Sequence, residues 1–302
     1  MIVSPDVLRN DKSLSINGGH APLRLPVEDT GICAEAAEAV VEVIKSKHTS
    51  YWGGGPQSKK LEQRVAQMLG REGAFFHNSG SAALVTGLYA LGANENTNVA
   101  ISSSGFVSSI NAVYHMKSRP IFLPTDKDTL VCQADVSQWV QEPIDIALVT
   151  QFFGNVVDID AIMASTKAQL LLEDGSQAFG SKLNGEYVGA RGDVATFAGS
   201  NRKLLGAGQG GINVYDKAEY GVNMRKIGHH GKGSTQFGEV PGFNFRGGEI
   251  EATLALTALD FFEEKALSRN VSAAAFSNVV QAAGLKVAQP PAHLDCHVVW
   301  FD

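Results

Sequence analysis

Three cysteines, Cys33, Cys132 and Cys296, are too few, too far apart and odd in number, which argues against a disulfide framework. No apolar run approaches the length of a membrane span. The 25 lysines and arginines are scattered along a chain of net charge −6, so they build no basic face of the kind nucleic acid requires. The opening segment, MIVSPDVLRNDKSLS, lacks an apolar stretch and does not read as a secretory signal. A reducing, cytoplasmic setting is the expectation that follows. Zinc spacing is missing too. His293-Leu-Asp-Cys296-His297 is the densest ligand cluster and has no second pair at metal spacing. No Gly-x-Ser-x-Gly elbow marks a hydrolase.

Glycine is what the chain has in quantity: 32 among 302 residues, above ordinary usage. The glycines cluster at 53–55, around Gly80, at 206–211 and at 228–233, and each cluster reads as a tight backbone site. Between them, helical patterns alternate with short apolar runs. Helices are predicted over 34–46, 58–70 (with Gly70 as the stop), onward from Ser81, over SSINAVYHM and over 249–268. Strands are predicted just before His77 and over 98–102, 119–125, 145–153, 168–174, 193–199 and 210–216. Such alternation predicts an α/β fold with a mostly parallel sheet, in which ligands gather at the carboxyl ends of the strands. The terminal HVVWFD reads as the start of a further strand.

Three constellations at those strand ends could carry chemistry. His77-Asn78-Ser79-Gly80-Ser81-Ala82-Ala83-Leu84 joins a strand to a helix. Its amides and small hydroxyls suit a phosphate, although serine there is equally an ordinary N-cap. Glu173-Asp174 closes a strand and is followed by Gly175-Ser176-Gln177. A nearly buried carboxylate can hold a protonated ring nitrogen, or simply cap the next helix. Lys203 lies in a glycine-rich, apolar run from Phe197 to Gly211, where burial would lower its pKa and suit it to Schiff-base formation. Gly206-x-Gly208-x-x-Gly211 matches the dinucleotide fingerprint in letters only, since INVYD after it reads as a strand and not a helix. His229-His230 reads as a loop pair or as substrate contacts.

Taken in order, these segments resemble the DegT/DnrJ/EryC1/StrS family from about residue 20 to residue 270. The likeness rests on Gly54-Gly55-Pro56 with Leu61-Glu62, the NSGSAAL loop, Gly154 with Asp158-x-Asp160, EDGSQA, Lys203 with GAGQGG, and Gly242-Phe-Asn-Phe-Arg246. It implies the aminotransferase-like fold of type I pyridoxal-phosphate enzymes: a large α/β/α domain over 1–245 and a shortened small domain over 246–302. It also implies a site. Lys203 would be the Schiff-base lysine and proton shuttle, Asp174 the partner of the pyridine nitrogen, and Gln177 a neighbour of the phenolic oxygen. Ser81 and Ala82 would hold the phosphate, Phe106 would stack on the ring, and Asn244 would reach the phosphate across a dimer interface. Where the family usually has a phosphate-binding serine this chain has Ala198, for which Ser200 or Asn201 could substitute; Gln209 replaces the usual glutamate.

The activity implied is transfer of an amino group from an amino-acid donor, Glu or Gln, to a keto sugar, cyclitol or related ketone. The protein would be a homodimer with shared active sites, with no metal, nucleic-acid or membrane partner. Two alternatives stand beside it. One is a diverged pyridoxal-phosphate chemistry such as dehydration, aromatisation or substituent replacement; the other is a non-catalytic regulatory protein that binds the cofactor. In the sugar dehydratase branch a histidine replaces the lysine, so Lys203 counts against that branch.

Overall fold

The computed structural model describes residues 12, 32–233, 237–288, 290 and 296–297. The first two helices among the described residues are α1 (Ala36–Lys45) and α2 (Pro56–Leu69). Next come β1 (Gly73–His77), α3 (Gly80–Ala90), β2 (Asn98–Ser102), α4 (Val107–His115) and β3 (Arg119–Leu123). The middle of the chain holds β4 (Ile146–Thr150), α5 (Ile159–Thr166), β5 (Leu170–Asp174), β6 (Lys182–Leu183) and β7 (Glu186–Tyr187). It continues through β8 (Val194–Ala198), β9 (Gly211–Tyr215), α6 (Ala218–Gly228), α7 (Glu249–Asp260), α8 (Phe262–Ala282) and β10 (Cys296–His297).

Seven strands form one sheet in the order β1-β9-β8-β5-β4-β2-β3. Only β9 runs against its neighbours; the other pairings are parallel. All five residues of β4 are buried, as expected of a strand covered on both faces. Side chains alternate across the sheet. Phe76, Phe197 and Ile212 point to one face, with Leu61 and Val65 of α2, Leu256 of α7 and Phe262 of α8. Phe75, Ile101, Leu148, Leu172 and Val194 point to the other, with Leu84 and Leu88 of α3, Val113 of α4 and Met224 of α6. The result is a three-layer α/β/α arrangement, as the family resemblance implies. Cys33 and Cys132 are buried free thiols.

Local chemistry explains where the elements stop. Pro56 opens α2 and Gly70, at φ 66°, closes it in the left-handed conformation that glycine favours. The helix predicted over 249–268 breaks at Phe261. This places Phe262 at the next helix start, where its ring lies 5.6 Å from that of Phe179 and fills the space beside Gly180. β6 and β7 form a hairpin through Asn184-Gly185, both at positive φ (52° and 81°). Asn-Gly is the strongest short hairpin signal, although this hairpin is not among the strands expected from the sequence. The helices α5 and α6 also lie outside the helices expected from the sequence.

Candidate active site

The register aligns the ends of five strands on one edge of the sheet. Thr150 pairs with Asp174, Asp174 with Thr196, and Gly211 with both Ala198 and His77. A cavity of about 400 Å³ opens at this edge. Its wall includes Ser81, Phe106, Asp174, Gln177, Ser200, Asn201 and Lys203, residues that come from four separate stretches of the chain. Ala198 and Gln209, residues that depart from the family pattern, line it as well.

Each wall residue is held by its own element. Lys203 lies in the β8–β9 connection, which is pinched where the Gly199 N–H donates to the Gly210 carbonyl (2.9 Å) and the Ala207 N–H to Gly199 (2.8 Å). Within it the Lys203 N–H donates to the Ser200 carbonyl (3.1 Å), and Arg202 adopts a positive φ of 69°. Arg269, reaching from α8, donates to the Arg202 carbonyl (2.5 Å) and ties the long helix to the lysine loop. Burial pushes the Lys203 ammonium down from 10.5 to about 8; the Asp174 charge opposes that shift and Arg269 adds to it.

Asp174, 2% exposed, accepts the Ser176 N–H on Oδ1 (3.1 Å) and the Ser109 hydroxyl on Oδ2 (2.9 Å). Gln177 Oε1 accepts the N–H of Phe153 (3.0 Å), a residue held at φ 55°. The helices α3 and α4 both begin at the cavity, so two sets of amino-terminal N–H groups face it. The Ser81 and Ser108 hydroxyls meet between them at 2.7 Å. Phe106, the residue that precedes α4, is largely exposed at the cavity mouth.

Two expected residues lie elsewhere. Ala82 is buried behind the wall, and its N–H goes to the Ser79 hydroxyl that caps α3 (3.1 Å). Asn244 is exposed and off the cavity: its carbonyl accepts from Asn78 Nδ2 (3.0 Å) and its Oδ1 from Arg246 Nε (3.0 Å). His229 Nδ1 lies 2.7 Å from Arg246 Nη1. His229 and His230 both pack on the Trp52 ring, also away from the cavity. In the fingerprint-like glycine run, Gly211 opens a strand, so no dinucleotide helix follows. His293 to Asp295 lie outside the described residues, among which no group of three metal-ligating side chains occurs.

Ser109, Ser108 and Thr150 join the site without being among the residues expected from the sequence. Thr150 was findable, as a polar residue ending an apolar run at the productive sheet edge. Ser109 carried no signal, because its importance is a contact 65 residues away. Thr150 also tests what the cavity could hold. Its hydroxyl is buried in the wall and has no hydrogen-bond partner among the described residues. Such burial is costly unless a ligand atom completes the pair. A lysine of lowered pKa, a buried carboxylate and two helix amino termini fit a cofactor that carries an aldehyde, a ring nitrogen and a phosphate.

GDP-perosamine synthase of Escherichia coli O157:H7 is 29% identical over 241 residues, 78% of this chain and 66% of that protein, so the chain spans just under two thirds of its relative. A sugar aminotransferase from Streptococcus pneumoniae, solved in its PLP form, matches at a TM-score of 0.80 and 18% identity, over 91% of this chain and 78% of its own. GDP-4-keto-6-deoxy-D-mannose-3-dehydratase of Escherichia coli, with bound hydrated PLP, matches at a TM-score of 0.77 and 20% identity, over 86% and 73%. At such identities the two structures establish the fold, that of the type I pyridoxal-phosphate aminotransferases. The DegT/DnrJ/EryC1/StrS aminotransferase pattern matches residues 31–302, nearly all of the chain, and the chain belongs to that family.

Proposed function

We propose that this protein is a pyridoxal-phosphate-dependent aminotransferase that moves an amino group from an amino-acid donor, Glu or Gln, to a keto sugar, cyclitol or related ketone. One observation carries the reading: a lysine with its pKa depressed to about 8 and a buried carboxylate, Asp174, line the same cavity. When bound, the cofactor supplies the electron sink for the pair left behind as a proton leaves the donor's α-carbon.

The chain's own residues do the rest. Lys203 would anchor the cofactor through its neutral amine and, once freed by the donor, would take up the donor's α-proton at Nζ and hand it on. Asp174 holds the proton on the ring nitrogen. Gln177 stands beside the phenolic oxygen, and Phe106 covers one ring face. The amino-terminal amides of α3, with Ser81, Ser200 and Asn201, hold the phosphate in place of the hydroxyl that Ala198 lacks. Ala82 contributes through the helix it helps to begin. Asn244, off the cavity of its own chain, is assigned to the partner's site in a homodimer. The named activity of the E. coli synthase supports a nucleotide-linked keto sugar as acceptor.

The test is an absorbance titration with pyridoxal phosphate on wild-type protein and Lys203→Ala, followed by glutamate or glutamine. A lysine-dependent visible band that an amino donor bleaches supports the proposal. A band that neither donor moves favours the diverged chemistry. No band in the wild type overturns the cofactor assignment.

A further inference from the structure

The two oxygens of Asp174 are held from different elements. Ser176, which donates to Oδ1, belongs to the turn that follows Asp174 itself. Ser109, which donates to Oδ2, is in the first turn of α4, and its side chain is buried. A carboxylate anchored only by its own turn can still swing about Cα–Cβ. A second donor on an independent, packed helix removes that freedom. A buried hydroxyl is unfavourable unless paired, and this one spends its hydrogen bond on Asp174. The same turn of α4 is closed by the Ser109 N–H donating to the Phe106 carbonyl (3.1 Å). One helical turn therefore carries both the aromatic residue at the cavity mouth and the group that fixes the carboxylate at its base.

We propose that Ser109 is a positioning residue, which aims the Asp174 carboxylate at the ring nitrogen and keeps it in register with Phe106. The proposal rests on the cofactor reading given above. It is tested by equilibrium binding of pyridoxal phosphate and by the absorbance maximum of the bound form, in wild type, Ser109→Ala, Ser109→Thr, Asp174→Ala and the Ser109→Ala/Asp174→Ala double variant. Ser109→Ala should weaken cofactor binding about tenfold, the scale of one hydrogen bond to a charged group, and move the absorbance maximum. Ser109→Thr, which keeps the hydroxyl, should restore both. With Asp174 already removed, deleting the Ser109 hydroxyl should change neither.

Wild-type affinity and spectrum in Ser109→Ala overturn the proposal. So does an equal loss with and without Asp174, which would mark Ser109 as merely structural. If Ser109→Ala does not fold, Ser109→Cys carries the same comparison, since its thiol is a weaker donor of similar size. A wild type that takes up no cofactor through Lys203 fails the cofactor reading instead, and does so before any Ser109 variant is compared.

Discussion

Burial and charge pull Lys203 in opposite directions. Desolvation disfavours its ammonium, Asp174 favours it, and burial wins, leaving the group at about 8 and not 10.5. The neutral amine is the form that attacks an aldehyde, and its fraction grows as pH rises through the folded-state value. Cofactor uptake by the cofactor-free protein should therefore accelerate with a midpoint near pH 8, followed by stopped-flow absorbance; a midpoint near 10.5 contradicts the buried setting. Asp174→Asn removes the charge that raises the value, so the midpoint should move to lower pH. Uptake should survive in that variant while amino transfer collapses, since an amide cannot hold the ring-nitrogen proton in the same way. Normal turnover in Asp174→Asn would sink the assigned role. Lys203 and Asp174 were legible in the sequence because strand ends and glycine-rich loops are local patterns. Ser109 was not, because what it does depends on a neighbour supplied by another element.

At the scale of elements, α2 depends on a residue far along the chain. Its N-cap, Gly55, has no side chain, and the Glu249 carboxylate takes that role, accepting from the Gln57 N–H (2.8 Å), the Ser58 N–H (3.0 Å) and the Ser58 hydroxyl (2.6 Å). A carboxylate at a helix amino terminus is favoured by both hydrogen bonding and the helix dipole. Glu249→Ala should cost about 2 kcal/mol in urea unfolding, because it leaves buried donors unpaired. A loss within error of zero would show that water replaces the cap. Glycine packing at the cavity edge is the second element-scale constraint. A Cβ on Gly211 would strike the Ser79 carbonyl and the Gly80 backbone, and one on Gly80 would meet Ala198 Cβ at 2.8 Å. Gly211→Ala should force β9 away from the start of α3, lowering stability by about 3 kcal/mol and loosening phosphate capture. Unchanged stability with unchanged cofactor affinity would refute that close approach.

Across the whole molecule, no helix among the described residues is long and apolar enough to cross a membrane. Residues of α7 and the start of α8, including Ala252, Leu256, Phe262 and Ala266, share one core with the sheet. The cavity is thus fixed by packing from both halves of the chain, with Arg269 as its link to α8. Asn244 lies outside its own cavity, and the proposed dimer accounts for it. Mixing Lys203→Ala protein with Asn244→Ala protein should then restore part of the activity that each lacks alone, because one hybrid site would carry both native residues. No recovery after verified subunit exchange would remove Asn244 from the shared site.

Order along the chain was enough to determine the alternation of strands and helices, the layer architecture, the family, and the residues that end strands or interrupt glycine runs. The alternation and the strand-end and glycine-loop residues follow from periodicity and from backbone preferences that act within a few residues, and the family with its layers follows from the resemblance of the ordered motifs. The tertiary structure alone decided that Glu249 caps α2, that Ser109 holds Asp174, and that the helix over 249–268 breaks so that Phe262 can fill the space beside Gly180. These rest on contacts between groups distant in sequence, and no local pattern encodes which distant partner a hydroxyl, a carboxylate or a ring will meet.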